Sequence, residues 1–222
     1  METLELLKKF CTTNEYERRE FLKRPFALEL KDTIAQFFYG HRVAIATDGH
    51  LLCVAKNGCE GVEPLAADDY HPKIESLLLD NPDERLSIDR LCAALAKAPM
   101  KHDNKCPECC GDGRVQYEYY CESDGNTYHT TDDCPYCDGK GKIDDDKAPL
   151  VYDTGYAITI GGQTFAPKVI KRLLDILHSA ELLADWQLCV STERKQMKIE
   201  TPDYIFIVAG SYCDKKVKQI EY

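Results

Sequence analysis

Val43-Ala44-Ile45-Ala46-Thr47-Asp48-Gly49-His50-Leu51-Leu52-Cys53-Val54-Ala55 is two apolar runs joined at an Asp-Gly pair. Asp-Gly between β-prone runs is a strong short-range signal for a β-hairpin, because the glycine supplies the positive φ that the turn needs. Upstream, Pro25–Leu30 and Thr33–Phe38 alternate imperfectly and extend the hairpin into a meander. Before them, Leu4, Leu7 and Phe10 lie at helical spacing within residues 2–12, and Thr12–Glu20 is polar. Downstream, residues 57–71 read as a loop and Lys73–Leu79 as a short helix. Leu91, Cys92, Leu95 and Ala98 then mark an amphipathic helix that stops at Pro99.

The same order returns near the C-terminus. Tyr156–Phe165 reads as a strand or tight hairpin around Gly161-Gly162. Ala166–Leu183 is the best helix in the chain: Val169, Ile170, Leu173, Leu174, Ile176, Leu177 and Ala180 form a wide apolar stripe, and Pro167 suits the first turn. Trp186–Val190, Gln196–Glu200 and Tyr204–Val208 complete a second meander. The fold class expected is therefore α+β, two helix-plus-antiparallel-meander halves over residues 1–100 and 148–222, with an insertion at 101–147.

The insertion carries the clearest chemistry. Cys106-Pro107-Glu108-Cys109-Cys110-Gly111-Asp112-Gly113 and Cys134-Pro135-Tyr136-Cys137-Asp138-Gly139-Lys140-Gly141 both fit C-x-x-C-x-G-x-G. Two residues between cysteines let both sulfurs face one ion, and the glycines let backbone N–H groups turn back toward the sulfurs. Cys106, Cys109, Cys134 and Cys137 are thus expected to hold one structural Zn2+. Four matched thiolates close a tetrahedral site and leave no position for catalysis. Cys110, Cys121 and His129 are alternative donors, read as bystanders on a tyrosine-rich hairpin that turns at Ser123-Asp124-Gly125-Asn126.

Composition narrows the class. The 222 residues are 44% hydrophobic and 30% charged, the balance of a soluble globular protein. No apolar run approaches the ~20 residues needed to span a bilayer, and the N-terminus is not that of a signal peptide, so a cytoplasmic protein without membrane contact is expected. In a reducing compartment Cys11, Cys53, Cys92 and Cys189 read as small buried hydrophobes. A net charge of −10 argues against a broad basic DNA-coating surface, although Lys215, Lys216 and Lys218 form a small basic tail.

Two resemblances follow from these residues. The paired cysteine repeats resemble the cysteine-rich zinc region of DnaJ-type chaperones, which has four such repeats and two zincs; two repeats imply one site here. The His-Pro-Asp signature of the J-domain is absent, since His71-Pro72 precedes Lys73. Separately, Val43–Leu52 resembles the V-A-T-D-G-H-R-L segment of the bacterial DNA polymerase III β sliding clamp. That likeness implies a clamp-like core, contact with DNA and protein partners, and self-association; a ring of the clamp's symmetry would need about six copies. Leu51 stands where that family has an arginine belonging, in some domains, to the polymerase-peptide pocket.

Other polar residues have plainer roles. Asp48 and His50 could form a catalytic pair, but turn chemistry accounts for them better, with Asp-Gly making the turn and His50 beginning the return strand. His178 is read as lying at the boundary of an apolar helix. Tyr117, Tyr119, Tyr120 and Tyr128 could stack on unpaired bases, yet mutual packing on a metal-stapled hairpin is the better reading. No G-x-S-x-G, Walker A, G-x-G-x-x-G or H-E-x-x-H arrangement occurs. The expectation is a non-enzymatic DNA-metabolism accessory or interaction protein, with a chaperone-like polypeptide-binding module as the competing class.

Overall fold

The computed structural model describes residues 2–31, 38, 41–58, 60–66, 74–78, 84–182, 187–191, 196–210 and 217–221. They form two compact units, one built from residues 1–98 and 154–222 and the other from 99–153. The strand expected at Thr33–Phe38 falls almost wholly outside the described residues.

The first unit is built on a seven-stranded antiparallel sheet. Its strands are β1 (Phe26–Glu29), β2 (Arg42–Thr47), β3 (Leu51–Ala55), β4 (Glu84–Leu86), β11 (Gln187–Ser191), β12 (Gln196–Glu200) and β13 (Tyr204–Ala209). Their order is β1-β2-β3-β13-β12-β11-β4, so the two meanders join edge to edge where β3 pairs with β13, in register Cys53↔Phe206. β3 is buried at every position and β2 at all but its first, because both faces of the sheet are covered.

Successive side chains of β13 divide between two cores. Ile205 and Ile207 pack with Val43, Ile45, Val54, Phe21 and Phe26. Phe206 points the other way and stacks on Phe10 with ring centroids 5.6 Å apart, just beyond helix α1 (Thr3–Lys8). A short helix α2 (Glu20–Lys23) buries Phe21 and Leu22, ending the stretch read as polar. Helix α3 (Glu75–Leu78) lies within the expected Lys73–Leu79.

Helix α4 (Ile88–Ala96) buries Leu91, Ala94 and Leu95. Cys92, expected to be buried, is exposed: one residue past Leu91 turns it about 100° off that stripe. Cys11 and Cys53 are buried as expected, and burial pushes the Cys11 thiol up to about 11. Helix α5 (Pro167–Ser179) is shorter than its apolar pattern. It stops because Glu181 takes the left-handed conformation, φ 56°, and the Leu182 N–H closes onto the Leu177 carbonyl at 3.1 Å.

The loop after β2 is held by side chains. Asp48 Oδ1 accepts the N–H groups of His50 and Leu51, each at 2.8 Å, and Gly49 has φ 91°. Asp48 Oδ2 pairs with Arg172 of α5, whose Nη2 also donates to the Lys9 carbonyl at 2.7 Å. Asp48 is therefore a turn-former and a clasp between helix and hairpin, and His50 is exposed. A small sheet completes this unit: β9 (Tyr156–Ile160) pairs with β10 (Gln163–Phe165) across Gly161-Gly162, and in parallel with β14 (Lys218–Glu221).

The second unit contains two two-stranded ladders. β5 (Met100–His102) pairs with β8 (Leu150–Tyr152), and β6 (Arg114–Cys121) with β7 (Asn126–Asp133). No described helix is long and apolar enough to cross a membrane.

Candidate metal centre

The two C-x-x-C-x-G-x-G loops of the second unit fold as near-copies. The residue after each second cysteine is left-handed, Cys110 at φ 53° and Asp138 at φ 50°, and the following glycines, Gly111 and Gly139, are too. That path turns the amide of each repeat's second glycine back on the sulfur. Gly113 N–H donates to Cys109 Sγ at 3.1 Å, and Gly141 N–H donates to Cys137 Sγ at 3.2 Å.

The loops also grip each other reciprocally. Cys106 N–H donates to the Gly141 carbonyl at 3.0 Å, and Cys134 N–H to the Gly113 carbonyl at 2.8 Å. The approach leaves no room for a side chain. A Cβ on Gly113 would lie 2.3 Å from the Gly139 oxygen, and one on Gly141 would lie 2.3 Å from the Gly111 oxygen. The second glycine of each repeat is thus required by close backbone approach as well as by its φ.

This packing brings four sulfurs together. Cys106 and Cys134 are 3.8 Å apart at Sγ, as are Cys109 and Cys137, and all four lie within 4.8 Å of one another. A regular tetrahedron of thiolates about 2.3 Å from a zinc has edges of about 3.8 Å. Each cysteine is buried, with Val115 and Ile143 packed against the cluster. The separations are far above a disulfide S–S bond, which is about 2.05 Å.

The electrostatics suit a dication. Burial opposes the thiolate of Cys109, but the Gly113 N–H and neighbouring thiol donors outweigh it and hold the group at about 7. Burial pushes Cys137 up to about 12, and the neighbouring thiols add to the rise. Four thiolates this close cannot share one dry pocket without a positive ion at its centre. An all-sulfur donor set, tetrahedral and amide-supported, fits Zn2+.

The other sequence candidates lie outside the cluster. Cys110 is exposed, and Cys121 is half-buried beside Ser123 Oγ at 3.0 Å. His129 is exposed on β7 opposite Glu118. Tyr119 and Tyr128 are cross-strand partners and stack with centroids 5.8 Å apart. That stacking does not bury them: Tyr117, Tyr119, Tyr120 and Tyr128 are 42%, 53%, 64% and 41% exposed. Mutual packing therefore accounts for only part of this tyrosine surface. His178 is exposed on α5.

Comparison with protein-family models finds no match, and comparison with curated protein sequences finds none. Among solved structures, the chain is similar to DNA polymerase III β sliding clamps. The Pseudomonas aeruginosa clamp is 11% identical with a TM-score of 0.42, covering 95% of this chain and 62% of the clamp. A Caulobacter crescentus clamp is 11% identical with a TM-score of 0.45, covering 95% and 63%. The Borrelia burgdorferi protein is 8% identical with a TM-score of 0.43, covering 96% and 64%. The chain thus spans less than two thirds of the length of each.

Proposed function

We propose that the chain is a non-enzymatic interaction protein of DNA metabolism, stapled by one structural zinc on Cys106, Cys109, Cys134 and Cys137. The observation that supports the metal is the buried thiol tetrad, with its 3.8 Å sulfur separations and an inward-turned amide on each loop. A closed set of four thiolates gives the ion a folding role, because the free energy of binding is free energy of folding for so small a unit. Residues 99–153 then form a metal-held insertion between the two parts of a clamp-like core. The DNA part of the reading is supported by the resemblance of Val43–Leu52 to the clamp segment and by the repeated order of helix and meander.

Charge supports a division of roles between the two units. Residues 99–153 carry thirteen carboxylates against six Lys and Arg, −7 of the chain's −10. So acidic a unit repels a phosphate backbone. The reading therefore gives contact with DNA, alone or as a homo-oligomer, to residues 1–98 and 154–222, which at −3 are much the less acidic part, and contact with proteins to the zinc unit.

Fluorescence anisotropy with duplex DNA tests this. The log affinity should fall linearly with log salt, and absence of binding at low salt would refute the DNA role. A chaperone-like module is favoured instead by one specific observation, the exposed tyrosines of β6 and β7. Zinc-dependent suppression of client aggregation, with no binding to DNA, is the result that selects it.

A further inference from the structure

The β6–β7 hairpin presents an aromatic surface that the zinc site does not use. Register places Val115, Tyr117, Tyr119 and Cys121 on one face of β6, with Asp132, Thr130, Tyr128 and Asn126 opposite them on β7. Tyr117, Tyr119 and Tyr128 form a contiguous exposed patch at the middle of that face. Every residue of β7 is exposed. A two-stranded ribbon with so much aromatic surface in water is what a binding face looks like before its partner arrives.

The charge around it is predominantly negative. Between Arg114 and Asp133 there is one cation, Arg114, against Glu118, Glu122, Asp124, Asp132 and Asp133. Asp124, at the tip, accepts the Tyr128 hydroxyl and is held below the usual carboxylate range by that bond, and Asp132 lies at the base of the tyrosine face. The ribbon also has two outer strand edges, since β6 and β7 pair only with each other among the described residues.

From these three features we infer that the Tyr117–Tyr119–Tyr128 face docks an extended, Arg- or Lys-rich polypeptide segment. The cations lie over the tyrosine rings, where the ring quadrupole attracts them. The surrounding carboxylates steer the segment in and exclude acidic ones. The open edges of the ribbon accept main-chain hydrogen bonds from a strand laid alongside. Unpaired DNA would find the aromatic platform but no cationic groove for its phosphates. This inference rests on the zinc-held fold of the unit.

The test uses the zinc-loaded full chain and three fluorescein-labelled probes of about ten residues each. One alternates Arg with Ser, one alternates Glu with Ser, and one is oligo-dT. The Arg probe should bind and the Glu probe should not, with the Arg probe's affinity falling as salt rises, and any oligo-dT binding should be indifferent to the tyrosines. In the paired variant Tyr119→Ser, Tyr128→Ser, both on the exposed face, its affinity should fall about tenfold while zinc content stays unchanged. Absence of Arg-probe binding at low salt, equal affinity in the variant, or oligo-dT binding that the variant weakens would each overturn the proposal. Zinc measured on the same samples separates the two claims. A chain that keeps its zinc and ignores the Arg probe overturns the docking face and leaves the metal centre standing. A chain that holds no zinc overturns both.

Discussion

Replacing Gly113 with alanine should weaken zinc binding a hundredfold or more, whereas the same change at Gly111, two residues earlier, should weaken it only about tenfold. Both glycines have positive φ, 77° and 94°, so each alanine costs about 1–2 kcal/mol of backbone strain. The positions differ in what a Cβ would meet. At Gly111 the nearest atom is Lys105 Cγ at 3.6 Å, an ordinary contact with a flexible chain. At Gly113 the Gly139 carbonyl oxygen stands at 2.3 Å, and that backbone cannot give way without parting the loops.

Parting them strains the Cys134 N–H bond to the Gly113 carbonyl and draws Cys134 from Cys106. Lost hydrogen bonds at about 1 kcal/mol each and the displaced thiolates bring the total to several kcal/mol. On the proposal that metal binding folds this unit, the strain subtracts from affinity at about 1.4 kcal/mol per tenfold. Competition against a chromophoric chelator should show Gly111→Ala weaker by roughly tenfold and Gly113→Ala by a hundredfold or more. Equal affinities for the two variants, or wild-type affinity in Gly113→Ala, would refute the reciprocal-loop geometry.

Two further outcomes follow from the charged groups. Burial raises the Cys137 thiol, and the Gly113 N–H helps to lower Cys109, so ligation by all four sulfurs must displace protons from the tetrad. Zinc uptake should therefore acidify a weakly buffered solution, and apparent affinity should fall steadily as pH is lowered; a pH-independent affinity would contradict thiolate ligation. In the first unit, Glu200 lies 2.7 Å from Lys56 and 3.2 Å from Lys198, two lysines that are nearly buried. Burial raises the Glu200 carboxyl, but the Lys56 hydrogen bond and the Lys198 charge outweigh it and lower the group overall. A depressed folded-state value contributes stability above the ordinary glutamate range and loses it as pH falls through the folded value. Glu200→Gln should thus cost about 1–2 kcal/mol at neutral pH, discounted for the half-exposed carboxylate, with the gap to wild type closing in acid. Urea unfolding followed by Trp186 fluorescence measures it, and a constant gap down to strongly acidic pH would count against the pair.

Local signals are the readable ones. The Asp-Gly hairpin, the Pro167 helix and the doubled cysteine motif are set by neighbours along the chain, and spacing alone points to the four thiols that come together. What spacing does not show depends on partners far apart in sequence. The β3–β13 pairing fuses the two meanders into one sheet, the parallel β9–β14 pair spans about sixty residues, and β5 finds β8 across both cysteine loops and the hairpin between them. Cys92 departs from its expected burial because one residue of helical rotation separates a buried position from an exposed one. The Arg172–Asp48 clasp joins a helix to a turn more than a hundred residues away and has no sequence signal. The exposure of the tyrosines follows from register: among the described residues β6 and β7 pair only with each other, and a lone two-stranded ribbon cannot bury the face it shares.

Native mass spectrometry of the full chain, purified with its thiols reduced and supplied with stoichiometric zinc, tests the central claim most directly. One zinc per chain is predicted, lost on chelation and lost in Cys106→Ser and Cys134→Ser, while Cys110→Ser and Cys121→Ser keep it. A wild-type chain that takes up no zinc, or a Cys106→Ser variant that retains a full equivalent, would contradict the account.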